Sequence, residues 1–265
     1  MNNHIIRCVA LALVVLTLAA CGDDREPTQP QDPKSKPMTF VVDYPGQTRA
    51  TATDFERNDR IGLYVADAKE PLELAGNLVN NEALTFDGNT WEAGRTLYWD
   101  EGTYNAYAYY PYMQDVTSVT DQPFSVSTDQ STQKTATALG GYEASDLLFA
   151  TTKDVKASDS PVRLTFKHIM SKLKIRLIKG EDFEGDMPTT AKVYIHNTVP
   201  TATIDLQAGV ATRYVKGTRQ TIVAHQDGDT SYSAIIVPQR IDNRQPLVEV
   251  AMMGVSSLFE SKSLF

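Results

Sequence analysis

The sequence predicts an all-β protein made of two β-sandwich domains. Three observations predict it. Short apolar segments with strand alternation recur along the chain, turn signals separate them at regular spacing, and no convincing amphipathic helix of any length interrupts them. The organising stretch is Leu164–Ile178. Leu164, Phe166 and Met170 share one phase of its alternation; Leu173, Ile175 and Leu177 share the other. A strand has a side-chain period of two, so a change of phase needs an extra residue or a break. A bulge or a strand-to-strand corner is therefore expected near Met170–Lys172. Lys167, Lys172, Lys174 and Arg176 make the polar face. The stretch reads as the opening strand of a second domain, and polar Lys153–Pro161 as the junction. The expected boundaries are 38–161 and 162–265.

Upstream, Met38–Tyr44 is a strand pattern ended by Pro45-Gly46, and polar Gln47–Asn58 follows it. Asp59–Val65 is the next strand. Leu84-Thr85-Phe86 and Thr90–Trp99 read as a hairpin closed by Asp87-Gly88-Asn89. Tyr104–Tyr112 mixes rings with small residues, as a packed strand does, and Pro111 ends it. Glu143–Asp146 has room for a helical turn, and Asp146–Ala150 is a short strand. Downstream, Ala191–His196, Thr203–Leu206, Gln220–Ala224, Tyr232–Val237 and Leu247–Met252 are strands separated by Val199-Pro200, Ala208-Gly209, Asp227-Gly228, Pro238 and Asn243.

The chain has 265 residues and a formal net charge of -8. That length suits one large or two ordinary domains. The acidic balance argues against a nucleic-acid partner, which needs a basic face. Both cysteines, Cys8 and Cys21, lie at the extreme N-terminus. The body therefore has no disulfide, no cysteine metal site and no thiol nucleophile.

The N-terminus reads as an address. Met1–Arg7 carries one fixed positive charge, Val9–Leu18 is apolar, and Leu18-Ala19-Ala20-Cys21 follows. The apolar run is too short for a permanent span and has the build of a signal peptide, 1–20. Residues 21–37 are rich in proline and poor in apolar side chains, which describes a tether without a core. Leu-Ala-Ala-Cys resembles the lipobox of bacterial lipoproteins. That resemblance implies acylation at Cys21 as the first mature residue. Asp23-Asp24 directly after it resembles the surface-export signal of Bacteroidota lipoproteins, which implies the outer face of the outer membrane.

No catalytic constellation is legible. The histidines are His4, His168, His196 and His225, and none stands at metal-ligand spacing with another ligand on one element. No nucleophile elbow, P-loop or dinucleotide fingerprint occurs. No metal, cofactor or enzymatic activity is expected. His168, beside Phe166 on a strand, reads as a hydrogen-bonded structural imidazole. Asp227-Gly228-Asp229 lacks the later ligands of a calcium loop and reads as a hairpin turn. The aromatic run Tyr104–Tyr112 is the one feature that could stack on sugar, and a surface glycan-binding lipoprotein is the alternative reading. On a strand, however, Tyr104 and Tyr110 point one way and Tyr107 and Tyr109 the other, so the rings form no single platform.

Several segments in order resemble the fimbrillin family, subunits of the type V pili of Bacteroidota. After the lipobox come Thr48-Arg49-Ala50-Thr51 with Asp59–Tyr64, then Leu97-Tyr98-Trp99 with Tyr107–Pro111, and Ser145–Ala150. Leu164–His168 with Ser171-Lys172-Leu173, Ala202–Leu206 and Tyr232–Gln239 complete the set. The resemblance implies two tandem transthyretin-like β-sandwiches and a pilus subunit or adhesin exported as a lipoprotein. It also implies a mechanism. An arginine-specific protease cuts after Arg49, Ala50 becomes the new terminus, and Met38–Tyr44 leaves a groove that a neighbouring subunit's strand fills. Phe40 and Val42 are the groove-filling side chains if they face inward. Anchor and some tip subunits keep their lipid or escape cutting, and an exposed polar loop at Arg49 suits cleavage without requiring it. The implied partners are other fimbrillin subunits, the outer membrane through the lipid, that protease, and host or bacterial surface ligands. Against the family pattern, Gln245–Phe265 is short, so the C-terminal sandwich is expected either to lack its final strand or not to donate one.

Overall fold

The computed structural model describes residues 36–44, 55–181 and 183–262. Strand β1 (Phe40–Asp43) is followed by β2 (Arg60–Asp67), β3 (Val79–Phe86), β4 (Trp91–Ala93), β5 (Thr103–Tyr110) and β6 (Gln122–Ser125). A single turn of helix, α1 (Gly141–Ser145), precedes β7 (Leu148–Lys156), β8 (Val162–Thr165), β9 (Lys167–His168) and β10 (Ser171–Arg176). The remaining strands are β11 (Lys192–Thr198), β12 (Thr201–Asp205), β13 (Val210–Arg213), β14 (Gln220–Val223), β15 (His225–Gly228), β16 (Ser231–Ile236), β17 (Pro246–Met252) and β18 (Val255–Glu260). The all-β expectation holds.

A six-stranded sheet in the order β4-β3-β2-β5-β7-β9 forms the middle layer. Its central strands β2 and β5 alternate side to side and are buried on both faces. Ile61, Leu63 and Val65 of β2, Tyr104, Ala106, Ala108 and Tyr110 of β5, and Leu148 and Ala150 of β7 face one apolar cluster. Tyr64, Ala66, Tyr107, Tyr109 and Phe149 face a second. Burial on both faces explains why β2 and β5 read as apolar throughout. The β3–β4 turn is closed by Asp87, whose carboxylate accepts the N–H groups of Asn89 and Thr90 at 2.7 Å each. Gly88 takes a φ of 103° there, which a side chain would oppose.

The first cluster is covered by the parallel pair β1-β8 and by Leu97 and Trp99. The second lies against three smaller sheets, β10-β16-β15, β14-β11-β17-β18 and β13-β12-β6. Strand β6 belongs to the N-terminal half yet pairs antiparallel with β12, Ala202 facing Phe124. Its Pro123 is tolerated because β6 is an edge strand. That proline is also why the segment does not read as a strand in the sequence.

The phase change in Leu164–Ile178 is a corner between sheets. Leu164 and Phe166 enter the first cluster, Met170 enters the second, and Leu173 and Ile175 of β10 pack on that second cluster. The two clusters therefore part between Phe166 and Met170. Lys153–Pro161 holds the end of β7 and the turn into β8, and Val162, Leu164 and Phe166 stay with the N-terminal strands. The cause is the register: β8 lies beside β1, and Leu147 and Leu148 lead into β7 beside β9.

Candidate functional site

The candidate site is the first strand and the groove that holds it. Alternation sets its two sides. Met38 is buried, Phe40, Val42 and Tyr44 are half-buried against the first cluster, and Thr39 and Val41 face solvent. Phe40 and Val42 thus point inward. The register with β8 places Phe40 opposite Val162 and Val42 opposite Leu164.

Backbone bonds hold the segment on both flanks. On one side the N–H of Met38 donates to the Leu97 carbonyl at 2.8 Å, and that of Trp99 to the Lys36 carbonyl at 2.9 Å. On the other the N–H of Val162 donates to Thr39 at 2.9 Å, and that of Phe166 to Asp43 at 3.0 Å. Lys36–Asp43 is therefore an inserted strand between Leu97–Trp99 and β8. Its absence would leave two rows of main-chain groups unpaired over Leu97, Trp99, Leu164 and Phe166. Charge pairs fasten the exposed rim: Lys36 Nζ lies 3.1 Å from Asp159, and Arg163 Nη1 lies 2.7 Å from both oxygens of Asp43.

Cys21, Arg49 and Ala50 lie outside the described residues. The described residues begin again at Phe55, whose ring makes edge contacts with Tyr44, Trp91, Tyr110 and Phe166 at centroid distances of 5.0, 4.9, 5.4 and 5.6 Å. Just beyond it, Lys134 donates to Glu56 at 2.8 Å and to buried Asp59 at 3.0 Å. Burial pulls the Lys134 ammonium down, but its bonds to these two carboxylates outweigh that and hold it above the usual lysine range. The residues on either side of 45–54 are thus differently held: one side by an inserted strand, the other by a ring cluster and a part-buried ion pair. Sequence reasoning missed Phe55 and Lys134. The available signal was Phe55 as the lone aromatic of an otherwise polar stretch.

The tyrosines of β5 are not a platform. Tyr104 and Tyr110 are buried in the first cluster, Tyr107 and Tyr109 in the second. This corrects the residue basis of the glycan reading, because a buried ring has no face left for a sugar. The packing of both sheet faces is the cause. Burial also pushes the Tyr109 and Tyr110 hydroxyls well above the usual phenol range. His168 Nδ1 lies 2.9 Å from Asp146 Oδ1, a structural pairing between β9 and the entry to β7. Asp227 accepts the Ser233 hydroxyl at 2.8 Å inside the β15–β16 hairpin. Among the described residues no group of three or more His, Cys, Asp or Glu side chains is placed to hold a metal.

Residues 48–263 match the fimbrillin-like family. A candidate fimbrium tip subunit of Bacteroides ovatus is 29% identical over 139 residues, covering 47% of this chain. The matched stretch spans only 24% of that relative's length. A solved candidate cell adhesion protein of Bacteroides uniformis superposes with a TM-score of 0.64 at 21% identity, over 88% of this chain and 86% of its own. A second such protein, from Bacteroides ovatus, gives 0.61 at 20% identity, over 84% of each chain. At that identity the two solved structures establish a shared fold.

Proposed function

The chain belongs to the fimbrillin-like family, and from that membership we propose that it is a structural subunit or adhesin of a cell-surface pilus, joined to other fimbrillin subunits by strand exchange. The observation that carries this reading is the insertion of Lys36–Asp43 between two otherwise unpaired edges, with Phe40 and Val42 turned inward. Strand addition works through such a slot: main-chain bonds supply affinity and alternate side chains fill pockets.

Magnitudes favour a strand that leaves once its loop is cut. Burying Met38 fully and Phe40 and Val42 by half contributes about 4 kcal/mol of apolar transfer. The main-chain bonds add about 1 kcal/mol each. Against them stands an association cost of about 4–15 kcal/mol once the strand is a separate molecule. Even at the lowest such cost the surplus is only about 4 kcal/mol, which corresponds to roughly millimolar affinity. Tethered, the strand stays; severed, it dissociates and leaves the slot to a longer donor.

In this reading Cys21 carries the lipid that holds the chain at the outer membrane during export. An arginine-specific protease cuts after Arg49. Ala50 then starts the mature subunit, anchored by Phe55 and the Lys134 pair. The family's role is structural and adhesive, and no catalysis is proposed. N-terminal sequencing of the surface protein tests the reading. Ala50 as first residue, with membrane-associated polymers that shorten on Arg49→Ala, is the expected result. A permanent monomer keeping its first strand after arginine-specific digestion would overturn it.

A further inference from the structure

Two clefts share a border, one on the outward side of β14-β11-β17-β18 and the other lined from the end of β13 and the Gln239–Gln245 segment. The first is a shallow, open depression of about 330 Å³ among His196, Gln220, Thr221, Glu249 and Leu258. The second, about 180 Å³, is lined by Arg213, Arg240, Asp242 and Gln245. Asn197 and Arg219 border both.

The alternation of this sheet builds the floor. Val193, Ile195, Ile222 and Val250 are buried inward, which turns His196 and Glu249 outward. His196 spans three strands: its Nδ1 lies 2.9 Å from Thr221 Oγ1 and its Nε2 2.8 Å from Glu249 Oε2. A bulge between Ile195 and Thr198 places Asn197 at a φ of 59°, and its amide donates to the Pro246 carbonyl at 2.7 Å. Bulges of this kind redirect side chains beside binding sites.

Charge is unevenly placed. The chain as a whole is acidic, yet the second cleft gathers three arginines against one aspartate. Arg219 takes that aspartate, donating to Asp242 at 2.9 Å. The side chains of Arg213 and Arg240 have no hydrogen-bond or ion-pair partner among the described residues. Guanidinium groups left unpaired in the lining of one cleft call for a planar or tetrahedral anion. The first cleft offers different chemistry: the Glu249 carboxylate and Gln220 amide as hydroxyl partners, with Leu258 as an exposed apolar wall. Neither lining has a Phe, Tyr or Trp side chain to stack a nucleobase, the His196 ring has both its nitrogens bonded within the sheet, and Glu249 and Asp242 would repel a polyphosphate.

We propose that the paired clefts bind an acidic saccharide, its carboxylate or sulfate on Arg213 and Arg240 and its neutral neighbouring ring against Leu258 and Glu249. Each space is small among small-molecule sites, which suits a short saccharide lying across both. Hydrogen bonds to Ser256 and then to His196 keep Glu249 below the usual carboxylate range, so it faces sugar hydroxyls as an acceptor at neutral pH. The site is independent of strand exchange and gives an adhesive subunit something to hold.

Calorimetric titration of the full chain tests it, using a glucuronic-acid-containing disaccharide, a singly sulfated one and their neutral counterpart. At least one acidic probe is expected to bind about tenfold or more tighter than the neutral sugar, the worth of a charge-assisted contact. Whichever acid binds tighter identifies the natural anion. Arg213→Gln and Arg240→Gln are each expected to weaken that binding about tenfold with an unchanged melting temperature, and added salt to weaken it further. Equal binding of acidic and neutral probes, no binding of any probe at millimolar concentration, or unchanged affinity in both arginine variants would overturn the proposal.

Discussion

Arg163 reaches across the rim of the slot and places one guanidinium nitrogen 2.7 Å from both carboxylate oxygens of Asp43. The pair joins the end of the inserted strand to its parallel partner. Arg163 is largely exposed, so the contact is worth at most about 1 kcal/mol. The inward side chains hold the strand more strongly. Phe40→Ala and Val42→Ala are therefore expected to speed release of the strand after cleavage more than Asp43→Asn does. Timed recovery of the cut peptide by mass spectrometry reads the order directly, and a larger effect of Asp43→Asn would contradict it.

Gly62 and Tyr109 face each other in register on β2 and β5, and a Cβ at Gly62 would overlap the tyrosine ring. That ring cannot move cheaply, since its hydroxyl donates to Asn81 at 2.6 Å. Gly62→Ala is expected to destabilise the fold by about 1–3 kcal/mol through overpacking. A smaller side chain at Tyr109 should recover part of the loss, so the double variant is less than additive in urea unfolding.

Tyr107 is buried, its hydroxyl accepts from Lys153 Nζ at 2.8 Å, and that ammonium sits 4.3 Å over the ring centroid. Tyr107→Ala is expected to cost about 3–5 kcal/mol. Any loss of ligand binding in this variant should track its unfolded fraction in denaturant. A folded variant with stability intact and selective loss of sugar binding would show that the β5 rings are a recognition surface after all.

The hydrogen bonds that the Glu249 carboxylate accepts, from Ser256 first and His196 second, make stability depend on pH. The folded Glu249 titrates below its unfolded value, so its ionised form adds stability above the ordinary carboxylate range, and that addition fades as pH falls through the lowered value. Glu249→Gln should therefore lower the melting temperature at pH 7, with the difference from the parent closing as pH falls through the lowered carboxylate value. A constant difference across that range would remove the carboxylate's role.

Much of the strand pattern was legible because it is local. The alternation of Tyr104 to Tyr110 assigns each ring to a face before any partner is known, and the rings divide accordingly between two clusters. The phase change at Met170 likewise announces a corner, which lies between β9 and β10. Segments held together by partners rather than by pattern stayed hidden. Gln122–Ser125 has no strand signature and is a strand because β12 accepts it. Val255–Glu260 is exposed throughout and is ordered as an edge by β17.

The sequence by itself determined which side chains face which way, because the period of an extended backbone is a property of the chain. It also carried the ordered segments that resemble the fimbrillins, and with them the family. Tertiary structure alone decided which strands became neighbours. Phe40 lies beside Val162, and His196 meets Glu249 and Thr221 from two other strands. A backbone edge offers the same N–H and C=O groups to any partner, so pairing is settled only by how the buried faces of distant segments fit together.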